Sequence, residues 1–280
     1  MSAPTQPVPS VALRGDVTIP QLGLGTWQVP AADTAAVVGH ALQTGYRHID
    51  TAAAYRNEQG VGEAIRASGL PRDELFVTTK VWNGNQGYAE ATAAAKKSLE
   101  RLGLDHVDLL LIHWPVPSRD LYVDTWRALV DLQQAGLARA IGVSNFQPAH
   151  LRRIIDATGV TPAVNQIELH PYLQQRELRA VHGELGIVTE SWSPLAQGKL
   201  LTDPVLERIA EAHGRSVGQV AIRWHLQHGF VVFPKSVTPA RIDENFDVFG
   251  FELRPEDLAA IDELDAGERV GPDPDTFAVT

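Results

Sequence analysis

The sequence of 280 residues predicts an α/β fold in which eight βα units close into a (β/α)8 TIM barrel. Seven glycines each end a helical pattern and lead into a short apolar run, as expected of helix caps that precede strands. Six of these runs begin at residues 46, 75, 107, 138, 163 and 187, and the spacings of 29, 32, 31, 25 and 24 residues are those of βα units. The runs lack period-two alternation, which is typical of parallel strands covered on both faces. An open doubly wound sheet is the alternative, but it usually has fewer strands in one domain.

The predicted strands follow one another in chain order. The first is residues 22–25, and the other seven are 46–50, 75–80, 107–112, 138–143, 163–166, 187–190 and 230–233. The final step of 43 residues, from 187 to 230, is longer than the others and leaves room for an extra helix. No Pro/Ser/Gly-rich linker divides the chain, so residues 1–280 are expected to form a single domain with residues 1–7 disordered.

Helices are predicted between the strands. Apolar residues repeat every 3.6 positions across residues 91–102, which is the pattern of a helix with one buried face. Ser216 followed by Gln219 has the spacing of a capping box. Pro255 suits a first helical turn, where its missing N–H removes no hydrogen bond.

Composition excludes several classes of protein. The 24 Lys and Arg against 34 Asp and Glu give a net charge of −10, which argues against a general nucleic-acid binder. The absence of cysteine excludes disulfides, thiolate metal ligands and a cysteine nucleophile. No apolar run approaches 18 residues and no secretory leader is visible, so we expect a cytoplasmic protein without membrane partners.

Charged and polar side chains follow the predicted strands at the end where barrels carry their active sites. Asp50, Lys80 and His113 close three successive apolar strands. Polar residues are common at strand ends, but Asp and Lys are rarely buried unless they are paired, so an ion pair is predicted here. Tyr55 lies in the loop after Asp50, where a nearby ammonium should lower the pKa of its phenol from about 10. The four side chains together predict an acid–base site that can protonate a carbonyl oxygen.

Six motifs resemble those of the aldo-keto reductase superfamily. They read DTAAAYRNE at residues 50–58, TKVW at 79–82, IHWP at 112–115, IGVSNF at 141–146, NQIE at 165–168 and PKSVT at 234–238. Their order and spacing match the family from about residue 10 to residue 277, and the resemblance is closest to the bacterial 2,5-diketo-D-gluconate reductase branch. It implies an N-terminal β-hairpin that closes the barrel bottom, which residues 8–20 fit with a turn at 14–16.

The resemblance also implies a mechanism. Tyr55 would be the general acid, Lys80 paired with Asp50 would depress its pKa, and His113 would orient the substrate carbonyl. The hydride would come from NADPH, and no metal is implied. The substrate pocket would be formed by Tyr55 and His113 together with Trp27, Trp82, Trp114 and Phe277. Phe277 belongs to residues 267–280, which are expected to form a C-terminal loop near the active site.

Cofactor contacts are implied in the same way. Ser144, Asn145 and Gln166 would hold the nicotinamide carboxamide, and the ring would stack on Trp192, where many members of the family have tyrosine. The resemblance places the remaining contacts as follows: Ser193, Leu195 and Gln197 on the pyrophosphate; Lys235, Ser236 and Arg241 on the 2′-phosphate; Glu244 and Asn245 near the adenine; and Gly25, Thr26, Trp27, Asp50, Val237 and Thr238 completing the site. Two cations and a hydroxyl suit a phosphomonoester, which favours NADPH over NADH.

The predicted function is the NADPH-dependent reduction of an aldehyde, ketone or dicarbonyl to an alcohol by a monomer. One alternative is a barrel aldolase that forms a Schiff base through Lys80 or Lys235. Another is a non-catalytic relative that only binds NADPH. Sugar-derived diketones, methylglyoxal-like compounds and aryl ketones all remain open as substrates. Arg56, which stands where relatives often have glycine, is left without a predicted role.

Overall fold

The computed structural model describes residues 8–280, so the prediction that residues 1–7 are disordered lies outside the described residues. Two short strands precede eight parallel strands of a single sheet. The ten strands are β1 (Ser10–Ala12), β2 (Thr18–Pro20), β3 (Leu24–Gly25), β4 (His48–Asp50), β5 (Phe76–Val81), β6 (Val107–Ile112), β7 (Ala138–Ser144), β8 (Val164–Glu168), β9 (Val188–Trp192) and β10 (Val231–Val232).

The first and last strands of the sheet meet and close it into a barrel. Strands β3 to β10 are neighbours in chain order, and Leu22 pairs in parallel with Val232 across the remaining gap. Gly23 N–H donates to the carbonyl of Val232, and Val232 N–H donates to that of Gln21, both at 2.9 Å. A side chain on Gly25 would come within 2.8 Å of the Phe233 carbonyl, so this junction requires glycine. The predicted (β/α)8 barrel is confirmed.

Ten helices of the described chain surround the strands. They are α1 (Ala31–Thr44), α2 (Glu58–Ser68), α3 (Tyr88–Leu102), α4 (Tyr122–Gln134), α5 (Pro148–Thr158), α6 (Arg176–Leu185), α7 (Pro204–His213), α8 (Val217–Gln227), α9 (Pro239–Phe246) and α10 (Pro255–Asp262). Both α7 and α8 lie between β9 and β10, which accounts for the long final step in the strand spacing. The capping box of Ser216 and Gln219 starts α8 as predicted. No helix within residues 8–280 is long and apolar enough to cross a membrane.

The predicted N-terminal hairpin closes the bottom of the barrel. Strands β1 and β2 pair in antiparallel register, and the turn between them includes Gly15 and Asp16 with φ of 78° and 58°. Ile19, on the hairpin, is buried in one apolar cluster with Phe76 and Val231, which begin β5 and β10. Since parallel strands begin at the same end of a barrel, the hairpin covers the end opposite the predicted active site.

A buried carboxylate joins three strands near that same end. Asp108, on β6, accepts hydrogen bonds from Arg72 at 2.6 Å and from Arg139, on β7, at 3.0 Å. It also accepts the backbone N–H of Val77, on β5, at 2.9 Å. The Asp108 side chain is fully buried, so these donors compensate for the loss of hydration of its charge.

Three predicted strands are shorter than expected. The run at 230–233 loses one residue at each end and contributes only Val231–Val232 to the sheet. The run at 46–50 contributes only His48–Asp50 to the sheet, because Tyr46 N–H donates to Ala41 at the end of α1 instead. In the run at 22–25 only Leu24–Gly25 forms a strand, and Leu22 pairs with Val232 through a single bridge. The differences at 46–50 and 22–25 lie at strand starts and leave the residues that follow those strands in place.

Candidate active site

The barrel brings Asp50, Tyr55, Lys80 and His113 together at the carboxyl ends of β4, β5 and β6. The Lys80 ammonium is fully buried and donates to Asp50 Oδ1 at 2.6 Å and to the Thr51 carbonyl at 2.9 Å. It lies 3.5 Å from the Tyr55 hydroxyl, which a short 3-10 turn, Ala53–Tyr55, places over it. The ion pair predicted from the sequence is therefore present, and it is in contact with the phenol.

The acidity of Tyr55 differs from the prediction. Burial raises the pKa of the phenol, and this effect exceeds the lowering effect of the Lys80 ammonium. Burial also opposes the charge on Lys80, but the Asp50 carboxylate outweighs it and raises the pKa of the ammonium. The predicted fall in the pKa of Tyr55 was wrong, because burial of the phenol outweighs the charge of Lys80, which Asp50 opposes in part. The phenol accordingly keeps its proton at neutral pH.

His113 completes the group as a neutral imidazole. Burial, followed by the charge of Lys80, places the pKa of His113 well below its ordinary value of 6.5. Its ring meets the rings of Tyr55 and Trp82 edge-on, with centroids 5.6 Å and 5.2 Å away. The Asn145 side chain donates to the His113 carbonyl at 3.0 Å and fixes the backbone below the ring. A neutral imidazole held beside a phenol can donate one N–H to the same substrate oxygen.

A second carboxyl group lies behind the ion pair, and it was not singled out from the sequence. Gln166 donates both amide hydrogens at 2.8 Å, one to Asp50 Oδ2 and one to Glu190 Oε2. Burial, with a contribution from Asp50, raises the pKa of Glu190 to about 8. The feature of the sequence that could have identified Glu190 is an acidic residue inside an apolar predicted strand. Because both amide hydrogens of Gln166 are used, its Oε1 is the atom left to accept a hydrogen bond from a bound group.

The predicted nicotinamide contacts form one hydrogen-bonded cluster at the ends of β7, β8 and β9. Asn145 donates to Ser144 Oγ at 3.0 Å and accepts the indole N–H of Trp192 at 2.9 Å. Ser144 Oγ donates to the Gln166 carbonyl at 2.8 Å. The cluster fixes the edge of the indole and leaves its ring half-buried at the barrel mouth.

The backbone after Trp192 contains three non-glycine residues in an unusual conformation. Ser193, Ala196 and Gln197 have φ of 50°, 47° and 54°, a left-handed conformation that non-glycine residues rarely adopt. Leu195, in a right-handed conformation with φ of −103°, precedes Ala196. The Ala196 N–H donates to the Ser193 carbonyl and the Gly198 N–H to the Leu195 carbonyl, both at 2.8 Å, so this segment forms two tight turns. The predicted pyrophosphate residues Ser193, Leu195 and Gln197 all belong to it.

The residues predicted to bind the 2′-phosphate lie at the barrel seam. Lys235 and Arg241 are exposed, and neither forms an ion pair with any carboxylate of residues 8–280. Gly25 N–H donates to the Pro234 carbonyl at 3.2 Å, which fixes the start of this segment against β3. Ser236 Oγ accepts the Thr238 N–H at 3.1 Å. Three of the other predicted contacts here are exposed, namely Val237, Thr238 and Glu244. The remaining three, Gly25, Thr26 and Asn245, are buried.

Aromatic side chains line the mouth beside this group. Trp27 is 43% exposed, and Trp114 contacts Phe277 with ring centroids 4.4 Å apart. Asn83 donates to the Val279 carbonyl at 2.7 Å, so the C-terminal loop is held at the mouth. Arg56 is exposed with φ of 57°, which explains why glycine suits this position and gives no indication of a contact with substrate.

Comparison with known proteins agrees with this geometry. A profile of the Aldo/keto reductase family matches residues 21–266. The chain is 57% identical to an aldo-keto reductase of Mycolicibacterium smegmatis over 97% of this chain and 99% of that one. It is 51% identical to the methylglyoxal reductase DkgA of Escherichia coli, over 95% and 97% of the two chains.

Solved structures give the same result. A Gox0644 mutant in complex with NADPH superposes with a TM-score of 0.93 at 48% identity, over 96% of this chain and 98% of that one. An aldo/keto reductase of Brucella melitensis superposes with a TM-score of 0.89 at 55% identity, over 92% and 100% of the two chains. The resemblance carried by the six motifs is confirmed, and the chain belongs to the aldo/keto reductase family.

Proposed function

We propose that this protein reduces a small aldehyde, ketone or dicarbonyl to an alcohol with NADPH, and that Tyr55 is the general acid. The observation that carries the proposal is the position of the Lys80 ammonium, 2.6 Å from Asp50 and 3.5 Å from the Tyr55 hydroxyl. A phenol that keeps its proton at rest and has a cation beside it can give up that proton when a basic oxygen develops next to it.

The side chains divide the work as follows. Tyr55 donates its proton to the carbonyl oxygen, and the Lys80 ammonium stabilises the phenolate that remains. His113 donates an N–H to the same oxygen and so orients the carbonyl. Asp50 keeps Lys80 charged and in place. When bound, NADPH supplies the hydride that reduces the carbonyl carbon.

The residues present fit NADPH. Ser193 and Gln197 offer polar side chains to a pyrophosphate, and Lys235 and Arg241 offer two cations that no carboxylate of the described residues neutralises. Gln166 Oε1 would accept from the carboxamide, and Trp192 presents a flat ring. Related structures contain NADPH or NADP. The relatives named methylglyoxal reductase make small dicarbonyls the first substrates to try.

An aldolase that uses Lys80 is disfavoured by the ion pair. A Schiff base needs a neutral amine, whereas Asp50 raises the pKa of Lys80. Lys235 is exposed, so it lacks the burial that would lower the pKa of a Schiff-base lysine. Trapping of a carbonyl compound on either lysine by borohydride would favour the aldolase. A non-catalytic binding protein would bind NADPH and show no turnover with any carbonyl.

The test of the proposed acid is Tyr55→Phe. This change removes the proton and leaves the ring, so we expect kcat for NADPH oxidation with methylglyoxal to fall by at least about 10²-fold. The dissociation constant for NADPH, measured by quenching of tryptophan emission, should stay within about twofold. Retained turnover in the Tyr55→Phe variant would refute Tyr55 as the acid. Absence of NADPH binding by the wild-type protein would refute the whole proposal.

The test of the proposed 2′-phosphate site is Arg241→Ala. Loss of one cation from a phosphomonoester should weaken NADPH binding roughly tenfold, since hydrogen bonds to charged groups contribute about 1.5–3 kcal/mol. NADH has no 2′-phosphate, so its affinity should not change. Arg208→Ala is a control that removes a surface arginine elsewhere, on α7. Equal losses for NADPH and NADH would contradict the assignment.

A further inference from the structure

The C-terminal loop, residues 267–280, is held to the barrel by a buried carboxylate that has no part in the proposed chemistry. Glu168 ends β8 and its side chain is fully buried. Its Oε1 accepts the Val270 N–H at 2.5 Å, and its Oε2 accepts the Gly271 N–H at 3.0 Å. His170 Nε2 lies 3.0 Å from the same carboxylate, and Arg269 lies 3.8 Å from it. Two amides and two basic side chains are therefore gathered on one carboxylate.

The charge of the Glu168 carboxylate is compensated by its hydrogen-bond partners. Burial would raise the pKa of Glu168, but the hydrogen bonds from His170, Val270 and Gly271 outweigh burial and lower it. An ionised carboxylate accepts from backbone N–H groups more strongly than a neutral amide does. The contact therefore depends on the charge of Glu168 as well as on its shape.

Gly271 continues the contact to Trp192. A Cβ placed on Gly271 would overlap Cη2 of the indole and would lie 3.1 Å from Cζ3 and 3.0 Å from Glu168 Oε2. The opposite edge of the same indole donates to Asn145 Oδ1 at 2.9 Å. The ring is thus fixed at both edges, by the Asn145 amide on one side and by the Gly271 backbone on the other.

We propose that Glu168 is a positioning residue for the cofactor. By holding the amides of Val270 and Gly271, it seats the C-terminal loop against the indole of Trp192 and fixes the plane on which the nicotinamide stacks. The inference rests on the proposed cofactor site. Because coupling between two sites is reciprocal, binding of NADPH should also favour the docked loop.

The test uses Glu168→Gln and Gly271→Ala, which disturb the two ends of the contact separately. Gly271→Ala keeps the carboxylate, so it serves if Glu168→Gln folds poorly. Calorimetric titration with NADPH should show the dissociation constant raised roughly tenfold in each variant, within the usual range of coupling between sites. The probe 2′-phospho-ADP-ribose lacks the nicotinamide, and its affinity should change by less than about twofold. A merely structural role would weaken both ligands alike.

Matched controls are available on the same chain. Glu268→Gln removes an exposed carboxylate next to the contact, and Gly39→Ala adds a methyl group to a glycine of α1 with open space around it. Neither should alter the affinity for NADPH. Hydrogen exchange of residues 270–280 should be slowed by NADPH in the wild-type protein and should be faster in Glu168→Gln with or without it.

The outcomes separate the two proposals. Failure of the wild-type protein to bind NADPH would overturn the proposed function. Binding by the wild-type protein with unchanged affinity in both variants would overturn the role of Glu168 alone. Equal weakening of NADPH and 2′-phospho-ADP-ribose would also overturn it, because the effect would then not pass through the nicotinamide.

Discussion

At the scale of single residues, two buried carboxyl groups accept hydrogen bonds from one amide, that of Gln166. Asp50 accepts directly from Lys80, whereas Glu190 is reached only through the Gln166 amide. Glu190 Oε1 has no hydrogen-bond partner within residues 8–280, so an ionised Glu190 would be poorly solvated. This accounts for its pKa of about 8 and makes it a neutral group at moderate pH.

The raised pKa of Glu190 predicts how its replacement changes stability with pH. A group with a folded pKa of about 8 against 4.5 unfolded stabilises the protein below pH 4.5 and loses that contribution as the pH rises towards 8. Glu190→Gln does not titrate. We therefore compare the free energies of unfolding of the two proteins, measured with urea. The value for wild type minus that for Glu190→Gln should fall by at least about 1 kcal/mol from pH 5 to pH 8.

The exposed Glu184 provides the control for this measurement. Glu184→Gln should differ from wild type by the same small amount at both pH values. A constant difference between wild type and Glu190→Gln would show that Glu190 titrates normally.

The sequence predicted which residues meet in the site better than it predicted their acidity. Asp50 and Lys80 could be paired in advance because each is rarely buried alone. The pKa of Tyr55 could not be predicted, because it depends on the balance between burial, the Lys80 ammonium and the Asp50 carboxylate in the folded protein. Glu190 was missed because its partner Gln166 becomes a neighbour only when β8 and β9 align.

At the scale of elements, Asp108 joins three strands near the bottom of the barrel. Asp108→Asn removes a fully buried charge and leaves Arg72 and Arg139 without their common partner. Breaking a buried ion pair by changing one partner costs about 3–5 kcal/mol, and because both arginines are partly exposed we expect roughly 2–3 kcal/mol. Thermal and urea unfolding of the variant measure the loss.

The surface pair of Asp124 and Arg127 gives a matched control. Both side chains are about half exposed, and the same Asp→Asn change there should cost less than about 1 kcal/mol. Equal losses in the two variants would show that Asp108 does not link the strands. Turnover with NADPH should be unchanged in both, since neither residue forms a hydrogen bond or ion pair with a residue of the proposed site.

Elements with strong local signals were predicted well. Ser216 with Gln219 started α8 at the expected residue, and the apolar stripe of α3 faces the core. The turn at residues 196–202 could not be foreseen, because Ala196 and Gln197 have no local preference for left-handed backbone. Their conformation is imposed by the chain on either side, and the proposed pyrophosphate site lies in this segment.

At the scale of the whole molecule, buried neutral histidines make the stability of the protein depend on pH. Burial lowers the pKa of His48 and His225 to about 3 and that of His182 to about 4, against 6.5 in the unfolded chain. Such groups stabilise the protein above pH 6.5 and lose that contribution as the pH falls. Burial raises the pKa of Glu190 and of Asp50, which act in the opposite sense, but His113, whose pKa burial also lowers, adds to the three histidines.

We therefore expect the free energy of unfolding to fall as the pH drops from 6.5 to 5, on the order of 1–3 kcal/mol per pH unit. Urea unfolding at pH 7, 6 and 5 measures this slope. His182→Gln should make the slope shallower, whereas a change of the half-exposed His106 to Gln should leave it as it is. A stability that is flat between pH 7 and pH 5 would contradict the expectation.

The architecture as a whole followed from regularities in the sequence. Glycine-ended helices and apolar runs at constant spacing predict eight βα units, and only one closed arrangement covers both faces of each strand. The contact that closes the barrel was harder to predict from the sequence. The two strands that it joins, Leu24–Gly25 and Val231–Val232, have only two residues each.

That closing contact has a consequence for the order of folding. Leu22 and Val232 are more than two hundred residues apart in the chain, so their pairing carries the largest loop-closure entropy in the sheet. Lys235 follows directly and lies against Gly25 once the barrel has closed. The proposed pocket for the 2′-phosphate thus lies where the ends of the first and the last strands of the barrel meet. A growing chain that has already completed Asp50, Tyr55, Lys80 and His113 still lacks the proposed 2′-phosphate pocket until its last fifth has been synthesised.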